Sequence, residues 1–186
     1  MRKEIRFGGF GGQGIISAGN ITGKAASIFD DKDAVLIQSY GPEARGGACS
    51  ADVVIEKGKI DYPQITEPEV LVLMSQEAYD KYGSEIRDGG VMLLEEDLIE
   101  EKAPPDRVRQ YTVPATRIAE DLGGKIVANV VMLGVLVTVV SGITGEEMKE
   151  AVLSSVPEGT EELNEKAFES GVEYGEEITG AKLATG

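Results

Sequence analysis

The chain has 186 residues, of which 41% are hydrophobic and 27% charged, so it carries enough apolar mass for a core of its own and is not a disordered chain. Acidic residues number 33 against 18 basic ones, and the net charge of -15 argues against nucleic acid or an anionic membrane as a partner. A lone cysteine, Cys49, and the absence of histidine exclude an internal disulfide, an iron–sulfur cluster held by this chain alone, and histidine-dependent nucleophilic or metal chemistry.

EIRFGGF, residues 4–10, begins as a short strand. GGQGIISAGNITGKAASIF follows as a turn and then a helix, with Ile15, Ala18, Ile21, Ala25 and Ile28 at roughly helical spacing. AVLIQ, 34–38, is a continuous apolar run and predicts a buried strand. SADVVIE, 50–56, alternates and predicts a strand that follows a loop, hence an antiparallel or hairpin-like one. VLVLMS (70–75), VMLLEE (91–96) and QYTVP (110–114) predict three more strands. QEAYDKYGSEI and ATRIAEDLG predict the helices after the first and the last of them, the second ended by Gly123.

IVANVVMLGVLVTVVSGI, 126–143, is the most apolar stretch. It nearly reaches the length of a membrane span, but Asn129, Thr138 and Ser141 dilute it and no basic flank follows. A helix buried on nearly all sides, under the sheet or against a partner, is the expectation. Glu146 and Glu147 open a further helix, which Pro157 ends. The last helix is amphipathic, with Leu163, Ala167, Phe168, Val172 and Tyr174 on or near one face. Residues 1–12 lack the long apolar core and cleavage site of a secretory signal, so a reducing cytoplasm is expected. Strands alternating with helices predict an α/β fold: one Rossmann-like three-layer domain over residues 1–186, with a largely parallel sheet and C-terminal helices.

Two stretches carry chemistry. Gly9-Phe10-Gly11-Gly12-Gln13-Gly14 fits G-x-G-x-x-G between a strand and a helix. Such glycines let the backbone approach a diphosphate, and the helix N-terminus offers it free N–H groups. The acid that should follow the second strand and bind a ribose is missing, because AVLIQ runs into Gln38-Ser39-Tyr40 and Asp33 sits at the wrong end. No Gly-Lys-Ser/Thr follows the glycines either. A stand-alone NAD(P)- or nucleotide-binding protein therefore stands as the alternative reading. A turn that serves packing only, and a turn that meets some other phosphate or a partner, also stay open. The second stretch is SYGPEARGGACS, 39–50, a glycine-rich loop in which Arg45 could grip a carboxylate or phosphate, or pair with Glu43. Cys49, with no histidine to activate it, is expected to be a buried structural thiol.

Together these stretches resemble a known family. Gly9 to Gly14 is similar to its G-x-G-G-Q-G. Tyr40-Gly41-Pro42-Glu43-Ala44-Arg45-Gly46-Gly47 is similar to its Y-G-P-E-x-R-G-G. Asn129 with Leu133-Gly134 is similar to its N-x-x-x-L-G. This is the gamma subunit, or gamma domain, of the 2-oxoacid:ferredoxin oxidoreductases. The resemblance implies a complex that converts a 2-oxoacid and coenzyme A to an acyl-CoA and carbon dioxide, passing electrons to ferredoxin. A chain with no further domains resembles the separate gamma subunit of a 2-oxoglutarate-type or 2-oxoisovalerate-type enzyme. Thiamine diphosphate, magnesium and iron–sulfur clusters would lie on other subunits, since one cysteine holds no cubane cluster and the sequence lacks the G-D-G and paired-asparagine signature of thiamine enzymes. Alpha and beta subunits, and a ferredoxin-like delta subunit where it is separate, are the implied partners. The chain alone is expected to be inactive. The implied cofactor-facing residues are Gly9, Gly11, Gly12, Gln13, Gly14, Tyr40, Gly41, Pro42, Glu43, Arg45, Gly46, Gly47 and Asn129. Asn129 could cross-link the two loops, or be a satisfied buried amide at a helix start.

Overall fold

The computed structural model describes residues 2–39, 48–100 and 106–180. Six strands form one sheet: β1 (Lys3–Phe10), β2 (Asp33–Ser39), β3 (Ala48–Glu56), β4 (Val70–Leu73), β5 (Val91–Glu95) and β6 (Arg109–Val113). Their spatial order is β2-β3-β1-β4-β5-β6. β1, β4, β5 and β6 pair in parallel, whereas β3 runs antiparallel to both β1 and β2. The expected antiparallel strand is thus β3, inserted between two strands that share a direction.

Six α-helices cover the sheet: α1 (Ile15–Lys24), α2 (Gln76–Tyr82), α3 (Ala115–Asp121), α4 (Ala128–Val139), α5 (Gly145–Leu153) and α6 (Glu161–Thr179). A π-helical turn, Ala25–Phe29, prolongs α1, and a 3-10 turn, Lys125–Val127, leads into α4. Strand alternation divides the buried side chains between two cores. Ile5, Phe7, Val53, Ile55, Val70, Val72 and Leu93 face the larger one, shared with α1 and α3 to α6. Leu71, Leu73, Met92 and Leu94 face the smaller one, against α2. The three-layer α/β expectation holds, with a thick helical layer on one face and a thin one on the other.

α4 is apolar on every side because every side is covered: each residue from Ala128 to Val137 is buried. Its 12 residues make about 18 Å of helix. No described helix is long and apolar enough to cross a membrane. α5 begins with a reciprocal cap: the Glu147 N–H donates to Thr144 Oγ1 (3.2 Å), and the Thr144 N–H donates to Glu147 Oε2 (2.9 Å).

One strand departs from its sequence pattern. AVLIQ is not buried at the centre of the sheet but forms its outer strand, β2, with Ile37 38% exposed. A continuous apolar run is equally compatible with a central strand and with an edge that lacks its covering.

Glu95 closes the C-terminal end of β5. It is fully buried and accepts three backbone N–H groups, from Asp97 (2.9 Å), Leu98 (3.0 Å) and Thr116 (3.0 Å) in the first turn of α3. One carboxylate thereby holds both a turn and a helix start. Glu95→Ala strands all three donors, and at about 1 kcal/mol each the loss should reach about 2–3 kcal/mol in urea denaturation. Glu95→Gln, which keeps an acceptor, should lose less.

Candidate functional site

β1 ends at Phe10, in line with the strand expected over residues 4–10 and the turn expected from Gly11. Gly9 and Phe10 still belong to the strand, and only residues 11–14 form the turn. The Gln13 side chain explains the geometry. Its Oε1 accepts from the Phe10 N–H at 2.9 Å, and its Nε2 donates to the Met74 carbonyl at 2.7 Å, so it staples the turn to the end of β4. Gly9 makes room for it: a Cβ there would lie 2.5 Å from Gln13 Oε1 and 2.6 Å from Ile15 Cδ1. Gly14 then enters α1 in the left-handed region at φ 73°, where a side chain would be strained and would also collide with the Asn129 amide.

Asn129, at the start of α4, donates from Nδ2 to the Gly14 carbonyl at 3.1 Å across 115 residues of chain. It is 6% exposed and fixes α4 against the turn. Gln13 and Asn129 thus act on the turn from opposite sides, one from the sheet end and one from the helical layer. Gln13→Ala should destabilise the chain by about 1–3 kcal/mol, two hydrogen bonds being lost. In a chain of this size that is a fall of about 2–12 °C in Tm by calorimetry.

The turn leaves donors free. The N–H groups of Gly11, Gly12 and Gly14 meet no acceptor among the described residues, nor do those of Ile15, Ile16 and Ser17 in the first turn of α1. No atom of the described residues lies within 4 Å of where a Cβ of Gly12 would sit. Six free N–H groups at a positive helix end, bare of side chains, fit an anionic group such as a phosphate.

Beneath the turn lies a cavity of about 590 Å³. Gly11, Gly12, Gly14 and the first turn of α1 form one wall; Ile126, Val127, Asn129 and Val130 form another; Val156, Pro157, Thr160, Leu163 and Asn164 close the far side. No charged residue lines it among the described residues. Phe10 and Ile126 remain 39% and 79% exposed beside it. The sequence pattern gave no hint of the α5–α6 connection as a wall. Asn164 of that wall is 6% exposed.

Cys49 also lines the cavity, 5% exposed and paired in register with Gly9. Burial pushes its thiol above the usual cysteine range, as expected of a structural rather than a reactive thiol. β2 ends in Gln38 and Ser39, without the ribose-binding acid. Tyr40, Gly41, Pro42, Glu43, Arg45, Gly46 and Gly47 lie outside the described residues. The residues on either side of them sit at the same sheet edge as the glycine turn, since Ser39 is in register with Ser50 and Ala48 with Phe10.

A family model described as pyruvate ferredoxin/flavodoxin oxidoreductase matches residues 4–174. The 2-oxoglutarate synthase subunit KorC of Methanocaldococcus jannaschii is 53% identical over 180 residues, which are 96% of each chain. The ketoisovalerate oxidoreductase subunit VorA of Methanothermobacter thermautotrophicus is 32% identical over 97% of this chain but only 38% of its own length. The solved gamma subunit of a keto/oxoacid ferredoxin oxidoreductase from Geobacter sulfurreducens superposes with a TM-score of 0.83 at 45% identity, covering 93% of this chain and 98% of the other. With the glycine turn, the Asn129 tie and the inserted antiparallel strand all in place, the chain belongs to the pyruvate ferredoxin/flavodoxin oxidoreductase family.

Proposed function

We propose that this chain is the gamma subunit of a 2-oxoacid:ferredoxin oxidoreductase of the 2-oxoglutarate type. The observation that carries this reading is the end-to-end match, at 53% identity, with a chain of the same length named as a 2-oxoglutarate synthase subunit. The ketoisovalerate relative is more distant and contains the same unit within a longer protein. The unit is thus used both as a separate chain and as part of a larger one, as befits a module of an assembly. The reaction is the oxidative decarboxylation of 2-oxoglutarate with coenzyme A, giving succinyl-CoA, carbon dioxide and electrons for ferredoxin.

Thiamine diphosphate, magnesium and iron–sulfur clusters belong to the other subunits in this reading. The described residues include no group of three or more cysteine or acidic side chains placed to hold a metal. Alpha and beta subunits, with a ferredoxin-like delta subunit where separate, complete the enzyme in the cytoplasm. This chain supplies the edge formed by residues Gly9 to Gly14 and Asn129, together with the loop from Tyr40 to Gly47. The free N–H groups of Gly11, Gly12 and Gly14 to Ser17 would hold an anionic group of coenzyme A at the complex, and Gln13 and Asn129 keep those groups in place. The rest of the work is positioning and exclusion of water, for which a rigid, neutral wall is suited.

The test is reconstitution. The complete complex should reduce a viologen dye with 2-oxoglutarate and coenzyme A, preferring 2-oxoglutarate to pyruvate and 2-oxoisovalerate. Omitting this chain should remove coenzyme A-dependent turnover, and this chain alone should show none. Turnover by the isolated chain, or full activity without it, would sink the proposal.

A further inference from the structure

We propose that the cavity beneath the glycine turn is an adenine nucleotide site, which holds the nucleotide end of coenzyme A with its diphosphate on the turn. The inference rests on the gamma-subunit reading and adds to it a place and a residue, Asn164. Two buried asparagines carry it. Asn164, in the first turn of α6, is 6% exposed, and its Nδ2 donates to the Thr160 carbonyl at 2.9 Å and to Thr160 Oγ1 at 3.2 Å. Asn129, also 6% exposed, gives its Nδ2 to the Gly14 carbonyl. A carbonyl only accepts, so these bonds fix which way round each amide sits. Both Oδ1 atoms are then turned away, and neither accepts a hydrogen bond among the described residues. Neither is sealed in by protein, and both side chains line the cavity. A bare acceptor in an apolar wall costs about 1–3 kcal/mol, which a ligand donor removes.

The lining selects the ligand. The free N–H groups at the turn and the start of α1 ask for an anion at one end. Ile15 and Ile21 of α1 both line the wall, so the cavity runs about 9 Å down the helix from that end. Val127 and Val130 bound it at the start of α4, and Val156, Pro157 and Leu163 at the α5–α6 connection. Aliphatic walls on two sides suit a flat apolar ring, and about 590 Å³ is the size of a small-ligand site. No described lining residue is charged, so the donors that meet the two oxygens are neutral N–H groups and not an ammonium. Adenine joins these demands: a flat ring, an exocyclic amine with two N–H groups, and a ribose that bears phosphate. In the gamma-subunit reading the thiol of coenzyme A reaches the thiamine on another subunit, so the nucleotide is the end left for this chain. Inosine, in which a carbonyl oxygen replaces the amine, would set an acceptor against acceptors.

Isothermal titration calorimetry of the full chain with ADP tests this. ADP should bind, coenzyme A should displace it, and inosine diphosphate should bind about 5- to 150-fold more weakly than ADP. Asn164→Leu should weaken ADP and shrink its preference over inosine diphosphate, a change that a merely structural asparagine would not produce. Val156→Phe, which fills the cavity from its far wall and alters neither asparagine, should weaken both nucleotides alike, and it keeps the test open should Asn164→Leu fail to fold. The lone cysteine gives a second readout. Cys49 lines the cavity, so ADP should slow its modification by methyl methanethiosulfonate, followed by mass spectrometry. A chain that binds no ADP overturns the proposal, as does equal affinity for the two nucleotides, or ADP that coenzyme A does not displace. The gamma-subunit reading fails separately, by full turnover of the complex without this chain. A chain blind to ADP that still restores turnover overturns the cavity assignment alone.

Discussion

Gly171→Val should be among the most destabilising single substitutions in this protein, lowering stability by more than about 3 kcal/mol and Tm by at least about 6–12 °C. α4 and α6 cross with their backbones in contact. A Cβ on Gly171 would meet the Val131 carbonyl, with the carbonyl carbon 3.0 Å away and the Gly134 Cα 3.1 Å away. A Cβ on Gly134 would meet the Phe168 carbonyl oxygen, with the Gly171 Cα and the Val172 nitrogen at 2.9 Å. Neither neighbour is a side chain that can rotate aside, so the helices themselves must separate. Separation uncovers Leu133, Leu136 and Phe168, all at most 3% exposed in the native packing. The gain in helix propensity from replacing glycine, about 1 kcal/mol, does not offset this. Calorimetry on a graded series checks the account. Gly175→Ala, which meets the movable Thr138 side chain, should lose less than Gly171→Ala. Gly180→Ala sits at φ 66° with nothing within 4 Å of its Cβ among the described residues, so it should lose the strain of a left-handed backbone, about 1–2 kcal/mol. A Gly171→Ala variant no worse than Gly180→Ala would show that the helices are not in contact there.

That crossing shows what the sequence made legible and what it did not. Gly134 was visible as the end of an N-x-x-x-L-G pattern, but its reason, the approach of α6, depends on a residue 37 positions later. The alternation of apolar strands and helices was legible because each element buries one face at a fixed period. The antiparallel β3 was legible because a loop, not a helix, leads into it. The place of β2 at the rim was not, since strand order depends on long-range pairing that periodicity does not record. The turn over residues 11–14 was legible from its glycines, and the end of β1 at Phe10 from the strand-like run over 4–10. Asn129 was found, and both roles weighed for it hold in part: it is a buried amide near a helix start, and it cross-links, to Gly14. Glu95 was read only as the end of a strand, because nothing local distinguishes a carboxylate bound by three amides from one in water.

The second large effect concerns Arg6 and Asp52, and here the expected result is a pair of losses that do not add. The two residues are directly opposite in the β1–β3 ladder. Arg6 is 7% exposed and Asp52 9% exposed, on the face that packs against α2. The guanidinium grips the carboxylate with two bonds of 2.7 Å, Nε to Oδ1 and Nη2 to Oδ2. Nη2 also donates to the Ile65 carbonyl at 3.1 Å, Nη1 pairs with Glu85, and the Tyr82 ring centroid lies 5.1 Å from the guanidinium carbon. Removing Arg6 strands the buried Asp52 carboxylate, and removing Asp52 leaves the guanidinium only Glu85, the Ile65 carbonyl and the Tyr82 ring, without its two-bond fork. Arg6→Met and Asp52→Leu should each lose about 3–5 kcal/mol in urea denaturation. The double variant should lose clearly less than the sum, because two apolar side chains of similar volume strand no charge. Asp52 has a second reason to matter for Arg6 than charge alone: its planar carboxylate matches the guanidinium fork, so Arg6→Lys, which keeps the charge but loses the fork, should fall near Arg6→Met rather than near the native chain. Additive losses in the cycle would mean that each residue is held by its own surroundings and that the geometry of the pair contributes little. Arg6 lies on β1 four residues before Phe10 and Asp52 opposite it on β3, on the other face of the sheet from the large helical layer, so loss of the pair acts through the stability of the β1–β3 ladder. Variants that stay folded should therefore still support coenzyme A-dependent turnover in the reconstituted complex, whereas Gln13→Ala, which loosens the turn itself, should not leave it untouched.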